Sequence, residues 1–288
     1  MRLDDPKFLA RLESLYLLAR RVIGGSLAAD RRSHKKGSGI NFADYSEYQY
    51  GDDYRNIDWN IYARLETLVI KLFELEEDVS IHIFLDVSHS MQKKIDYAKQ
   101  IAAAIGYIAL CNQDKIIIDT IDDKLNYLIE PCRGKGKVMT LLKSLENITL
   151  SGKDTKFNEA IEQFQRRQKQ SEVCVVISDF LFPEGYKQGL QKMKYKKNDI
   201  YCIQILDEEE MTCNYLGDLE IECIETGKKR KLTIGPNEQL KYNELIRRWN
   251  ENLYKECSKY EIGYIQAFTS KPFDEIIRDI LSKGGLIA

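Results

Sequence analysis

At 288 residues the chain can form one large domain or two small ones, and it can bury a core without disulfide or metal staples. Its 43 Lys and Arg balance 45 Asp and Glu to a net charge of −2, which gives no general electrostatic case for nucleic-acid binding. Seven cysteines form an odd set with no C-x-x-C spacing, so reduced thiols in a cytoplasmic protein are expected, and neither a disulfide framework nor a zinc site.

The chain opens with Phe8, Leu12, Leu15, Leu18 and Val22 on one stripe, interrupted by Arg11, Glu13, Arg20 and Arg21. That pattern is an amphipathic helix and not the apolar core of a signal peptide. No other stretch approaches the roughly 18–20 apolar residues of a spanning helix, so no membrane insertion is expected. A basic turn follows, from Asp30 to Gly39. Residues 1–38 carry nine Lys/Arg against four Asp/Glu, and residues 39–78 carry ten Asp/Glu against three Lys/Arg. This split marks a polar, charge-complementary surface. Residues 1–78 are therefore expected to be an N-terminal helix and an extended segment wrapping a domain at 79–288. Arg31, Arg32, Lys35 and Lys36 read as a solvated turn, so no nucleic-acid partner is expected.

From Ser80 the rhythm becomes strand, helix, strand. Ile81–Val87 is an apolar strand, and Ile95, Ala98, Ile101, Ala102, Ile105, Ile108 and Ala109 trace a helical stripe after it. Lys115–Ile121 and Lys124–Ile129 read as two strands joined by a tight turn at Asp122-Asp123. Residues 136–145, 157–168 and 186–197 are predicted helices, and 172–178 and 200–206 short β-branched strands. Residues 208–235 break the alternation with two strand-like halves and are predicted to be a β-hairpin insertion. A helix over 241–259, a strand over 262–268 and a helix over 273–281 close the chain. The alternation implies an α/β fold: a mostly parallel, doubly wound central sheet flanked by helices, with one short antiparallel strand early on.

The chemistry concentrates at Asp86-Val87-Ser88-His89-Ser90, where the first buried strand ends. One carboxylate and two hydroxyls at alternate positions put three oxygen ligands at the edge where open α/β sheets bind ligands. Thr155, ahead of a helical pattern, and Asp179, after the apolar run 173–178, supply two more. Hard oxygen donors suit a divalent cation: Mg²⁺ is the first choice, with Mn²⁺ or Ca²⁺ as alternatives. Hydroxyls are neutral ligands, so the cation stays under-neutralised and attracts a further carboxylate from outside. The plainer reading has Ser88, Ser90 and Thr155 capping helix N-termini. Asp86 invites an enzymatic alternative, a metal-dependent, phosphatase-like hydrolase, but the acid/base carboxylate needed two positions on is Ser88. Gly134-Lys135-Gly136-Lys137 is too short for a phosphate loop.

Asp-x-Ser-x-Ser, then a Thr, then an Asp after a later strand, resembles the metal-ion-dependent adhesion site of von Willebrand factor A domains. A second resemblance is carried by Phe42, Asp44, Tyr45, Glu47, Tyr48, Gly51, Asp52, Asp53, Arg55, Ile57, Asp58, Trp59, Ala63 and Arg64 upstream of that strand, and by Ile224-Glu225-Thr226-Gly227. This pattern resembles the domain-of-unknown-function 58 family, a von Willebrand A-like branch, over residues 35–270; it departs at Asn41 and Ser46, where the family usually has Glu and Arg. The resemblance implies a Rossmann-like von Willebrand A fold with the metal held by Asp86, Ser88, Ser90, Thr155 and Asp179. It further implies a non-catalytic, metal-dependent protein-binding adaptor. Its expected partner is a MoxR-type AAA+ ATPase that donates a carboxylate to the metal. The aromatic, acidic segment 37–59 is expected to be a recognition surface or to pack across the sheet. Ser88→Ala and Asp179→Ala are expected to abolish partner binding with the melting temperature nearly unchanged.

Overall fold

A computed structural model of the protein describes residues 2–26, 41–74, 80–150, 155–222 and 229–282. In chain order its elements are α1 (Pro6–Ser26), β1 (Asn41–Glu47), α2 (Trp59–Leu65), β2 (Val69–Glu74), β3 (Ser80–Asp86) and α3 (Ile95–Cys111). There follow β4 (Lys115–Ile121), β5 (Leu125–Arg133), α4 (Val138–Glu146), α5 (Phe157–Arg167), β6 (Val173–Ser178), α6 (Lys187–Tyr195) and β7 (Asp199–Leu206). The last are α7 (Glu208–Met211), β8 (Gly217–Glu222), β9 (Lys229–Ile234), α8 (Pro236–Lys259), β10 (Gly263–Phe268) and α9 (Phe273–Ser282). The chain separates into two compact units, residues 1–20 with 79–287, and residues 21–78. The basic turn at 30–39 and the Ile224–Gly227 motif lie outside the described residues.

The larger unit is built on a six-stranded sheet in the order β10-β7-β6-β3-β4-β5, parallel throughout except for β5, which runs antiparallel to β4 at the edge. This is the mostly parallel, helix-flanked sheet that the alternation implied. Every residue of β3 is buried, because helices cover both faces of a central parallel strand. That is why its sequence runs apolar without alternation. Phe84, Val176 and Cys202 form one face of the core with Phe157 and Phe164 of α5 and Leu190 of α6. On the other face α3 is almost wholly buried and packs against α4 and α9. A Cβ at Gly106 would fall 2.9 Å from Leu141 Cδ2, so the glycine lets α4 approach α3 closely. The start of α1 joins this layer, with the Phe8 and Phe273 rings 5.3 Å apart and Arg11 Nε donating to Asp274 at 2.9 Å.

His82, near the start of β3, is the one buried imidazole among the described residues. Its Nδ1 lies 3.0 Å from Glu172 Oε2 and its Nε2 3.1 Å from Asp119 Oδ2, while the ring stacks on Phe84 at 4.4 Å. Burial opposes the imidazolium, but the hydrogen bonds and charges of Asp119 and Glu172 outweigh it and raise the pKa above 6.5. The folded state therefore holds this proton more tightly than the unfolded state. His82 contributes stability that is complete below pH 6.5 and lost as pH rises through its elevated pKa. Urea denaturation across that window is expected to show wild-type stability falling relative to His82→Gln. A constant difference between the two proteins would show that His82 is neutral.

The predicted insertion at 208–235 is narrower than expected. It opens with the one-turn helix α7, and the hairpin proper pairs Gly217–Glu222 with Lys229–Ile234 in an antiparallel register that sets Glu220 opposite Lys231.

In the smaller unit β1 and β2 pair antiparallel, with a bulge between Phe42 and Asp44. Three acidic residues of the family pattern serve the backbone here. Asp52 Oδ2 accepts the Gln49 amide, Asp53 Oδ1 caps a 3₁₀ turn through the Arg55 amide, and Asp58 caps α2 through the Asn60 and Ile61 amides. Tyr45 Oη and Lys71 Nζ, each 3.1 Å from Asp58 Oδ2, complete that buried carboxylate. Tyr50, Tyr54 and Trp59 remain exposed.

Candidate metal centre at the sheet edge

The chain leaves β3 toward β4 on one side and returns to β6 on the other, so the crevice between β3 and β6 is the topological switch point of the sheet. Asp86 is the last residue of β3, and Asp179 immediately follows β6. The parallel register pairs Leu85 with Ile177, and one step further it sets Asp86 beside Ser178. Ser178 Oγ donates to Asp86 Oδ2 at 2.6 Å, and the Ser88 amide donates to Asp86 Oδ1 at 3.0 Å. Thr155 Oγ1 lies 3.5 Å from Asp86 Oδ1, and the hydroxyls of Ser88 and Ser90 are 3.0 Å apart. Burial above all, and then the charge of Asp179, push the Asp86 carboxyl up to about 6, against the pull of the Ser178 and Ser88 hydrogen bonds.

None of the three expected hydroxyls caps a helix. Ser88 precedes a 3₁₀ turn without a capping bond from its side chain, and the N-cap positions of α3 and α5 belong to Lys94 and Lys156. The capping alternative is thus not what these side chains do. Ser88, Thr155, Asp86 and Asp179 are buried, whereas Ser90 and His89 are half-buried, so His89 is less exposed than a loop position suggests.

Asp179 is oriented by its neighbours. Phe180 sits in the left-handed region at φ 62°, a conformation that costs a bulky residue on the order of 1–3 kcal/mol. The tight turn it makes lets the Phe180 amide donate to Ser178 Oγ at 2.8 Å and the Leu181 amide to Asp179 Oδ1 at 3.0 Å. Asp179 Oδ2 accepts from Lys94 Nζ at 2.8 Å. The Lys94 ammonium, with no exposed surface, also donates to both Glu210 oxygens, at 2.7 and 2.8 Å. Burial opposes its charge, but Asp179 and Glu210 outweigh burial and raise its pKa. Glu210 belongs to α7, where it also accepts the Asp207 amide in a capping box.

Lys94, Ser178 and Glu210 escaped sequence reasoning. Ser178 was legible as the polar residue ending an apolar strand beside Asp179. Lys94 and Glu210 carried no local signal.

The donors are all oxygens, and burial together with the nearby Asp179 charge raises the Asp86 pKa, so the chemistry fits a hard divalent cation. Asp86, Ser88, Ser90, Thr155 and Asp179 would hold it. Among the described residues no group of three or more His, Cys, Asp or Glu side chains is gathered for a metal, so any such site relies on hydroxyls.

An open α/β sheet wound in this order, with its one antiparallel strand at the edge, is of the von Willebrand factor A class. The chain itself belongs to the family described as protein of unknown function DUF58, whose model matches residues 44–251. It is similar to uncharacterized proteins of Mycobacterium bovis and Mycobacterium tuberculosis, each 24% identical over 242 residues that cover 81% of this chain and 76% of theirs. Among solved structures it is similar to BatB from Bacteroides thetaiotaomicron, with 18% identity, TM-score 0.48, and coverage of 71% of this chain and 98% of that one. It is also similar to a von Willebrand factor type A protein from Catenulispora acidiphila (13% identity, TM-score 0.43, 75% and 44% covered). A third is manganese-loaded TRAP protein of Plasmodium vivax (15% identity, TM-score 0.41, 71% and 72% covered).

Proposed function

We propose that this protein is a non-catalytic adaptor that binds a protein partner through a divalent cation, Mg²⁺ first, held by Asp86, Ser88, Ser90, Thr155 and Asp179. The observation that carries the reading is the placement of the hydroxyls: Ser88 and Ser90 face each other at 3.0 Å beside a buried carboxylate, at a sheet's switch point, and cap no helix. When bound, the cation supplies an open coordination position for an incoming carboxylate. The partner class suggested by the family resemblance is a MoxR-type AAA+ ATPase, and the Glu or Asp would come from it. Asp86 and Asp179 carry the only formal negative charges among the five ligands, which leaves room for that third carboxylate. No helix among the described residues is long and apolar enough to cross a membrane, and a cytoplasmic location is part of this proposal.

Isothermal titration with Mg²⁺ and Mn²⁺ tests the site. Wild type is expected to give saturable heats that vanish in Asp86→Ala, and equal heats from both proteins would remove the metal reading. Capture of the AAA+ partner in Mg²⁺ but not in EDTA is the matching expectation for the adaptor role. Full capture in EDTA would refute it.

A further inference from the structure

We propose that the Lys94 ammonium is a resident counter-cation of this site, which competes with the divalent cation for Asp179, and that Glu210 sets the strength of the competition. The inference rests on the metal reading above. Lys94 has three N–H donors and spends all of them, one on Asp179 Oδ2 and two on the Glu210 carboxylate. Asp179 Oδ1 is already occupied by the Leu181 amide, so both of its oxygens are engaged before any metal arrives. A cation that takes Asp179 must share it with a unit positive charge or displace that charge toward Glu210. In a buried site such repulsion is screened far less than in water.

The two carboxylates that hold Lys94 are not equivalent. Asp179 is 1% exposed and fixed by its turn, whereas Glu210 is 35% exposed and stands on a helix of a single turn. Glu210 is the natural place for the ammonium to go when Asp179 turns to a metal, and the carboxylate that lowers the cost of doing so. Counting Asp86 and Asp179 against Lys94, the inner cluster carries a net charge of −1, and Glu210 brings it to −2. Retention of a divalent ion by this protein alone is therefore weak, and a partner's carboxylate restores the missing charge. The geometry makes metal retention and partner binding mutually dependent.

Magnesium titration of the full chain, followed by calorimetry and by melting in EDTA and in Mg²⁺, tests this with Lys94→Met, Glu210→Gln and Asp86→Ala. Lys94→Met is expected to bind Mg²⁺ at least about tenfold more tightly than wild type. It is also expected to show a larger gain in melting temperature from Mg²⁺ than wild type does, because the metal then replaces the lost ammonium. Glu210→Gln leaves the whole lysine charge on Asp179 and is expected to weaken Mg²⁺ binding several-fold. Wild-type affinity in both Lys94→Met and Glu210→Gln, with binding lost in Asp86→Ala, would overturn the counter-cation while leaving the metal site standing. Unaltered heats in Asp86→Ala would overturn both. Should Lys94→Met fail to fold in either buffer, Glu210→Gln decides alone: weaker binding supports the inference and unchanged or tighter binding overturns it.

Discussion

Replacing Asp179 by Ala is expected to destabilise the larger unit by about 3–5 kcal/mol, because it strips a fully buried ammonium of its most buried partner. Lys94 keeps Glu210, and that half-exposed carboxylate places the loss toward the lower end of the range. The change also removes the acceptor of the Leu181 amide, in a turn already strained at Phe180. A loss of this size lowers the melting temperature by roughly 10 °C in a unit of this length. This corrects the expectation from sequence that the substitution is silent in partner-free buffer. Ser88→Ala is expected to come closer to that: its side chain bonds Ser90 and also Asp86, so about 0.5–1.5 kcal/mol per hydrogen bond is at stake. Partner binding is thus better probed with Ser88→Ala than with Asp179→Ala. Adding Lys94→Met to Asp179→Ala is expected to recover part of the stability, since the buried charge goes with its partner. Thermal melts of the four proteins in EDTA form the cycle, and an Asp179→Ala melt within about 2 °C of wild type would show that Glu210 alone sustains the lysine.

Phe84→Ala is expected to cost about 3–5 kcal/mol, measured as a lower urea midpoint at unchanged slope. The ring is fully buried at the centre of the sheet, stacked on His82 and edge-on to Phe164 at 4.9 Å. It stands two residues before Asp86 on the same face of β3, beside Val176 of β6. Two aromatic rings pack against it in a dense core, so the site cannot collapse to fill the void. The same cavity loosens the register that sets Asp86 beside Ser178. Mg²⁺ heats are therefore expected to weaken in Phe84→Ala, although no ligand is removed. A loss below about 1.5 kcal/mol would show that α5 moves in to close the gap.

Much of the larger unit was legible because its signals are local. Continuous apolar runs bounded by turn residues can be buried only from both faces, which marked β3, β6 and β7 as strands of a mostly parallel sheet. The stripe from Ile95 to Ala109 could bury itself only as a helix, and α3 spans it. The pair β1 and β2 went unread as a ribbon because β1 is polar and aromatic, with no apolar run to betray a strand for β2 to pair with. Asp52, Asp53 and Asp58 drew attention as recognition chemistry. What they do is cap and turn the backbone, a role that depends on which amides fold back toward them.

Sequence order alone determined that Asp86, Ser88 and Ser90 stand at the end of a buried strand. A carboxylate and two hydroxyls after an apolar run have nowhere else to lie. It determined as well that Thr155 and Asp179 precede and follow elements of the same alternation. Only the tertiary structure decided that β6 lies against β3, in a register that lends Ser178 to Asp86 across 92 residues of chain. It alone brought in Lys94, joined to Asp179 over 85 residues and to Glu210 over 116. The physical reason is the reach of the forces involved. Hydrophobic periodicity acts within a few residues, so it is written in the local sequence. A buried ion pair exists only where strand order and helix packing exclude water around both partners, and that exclusion belongs to the whole fold.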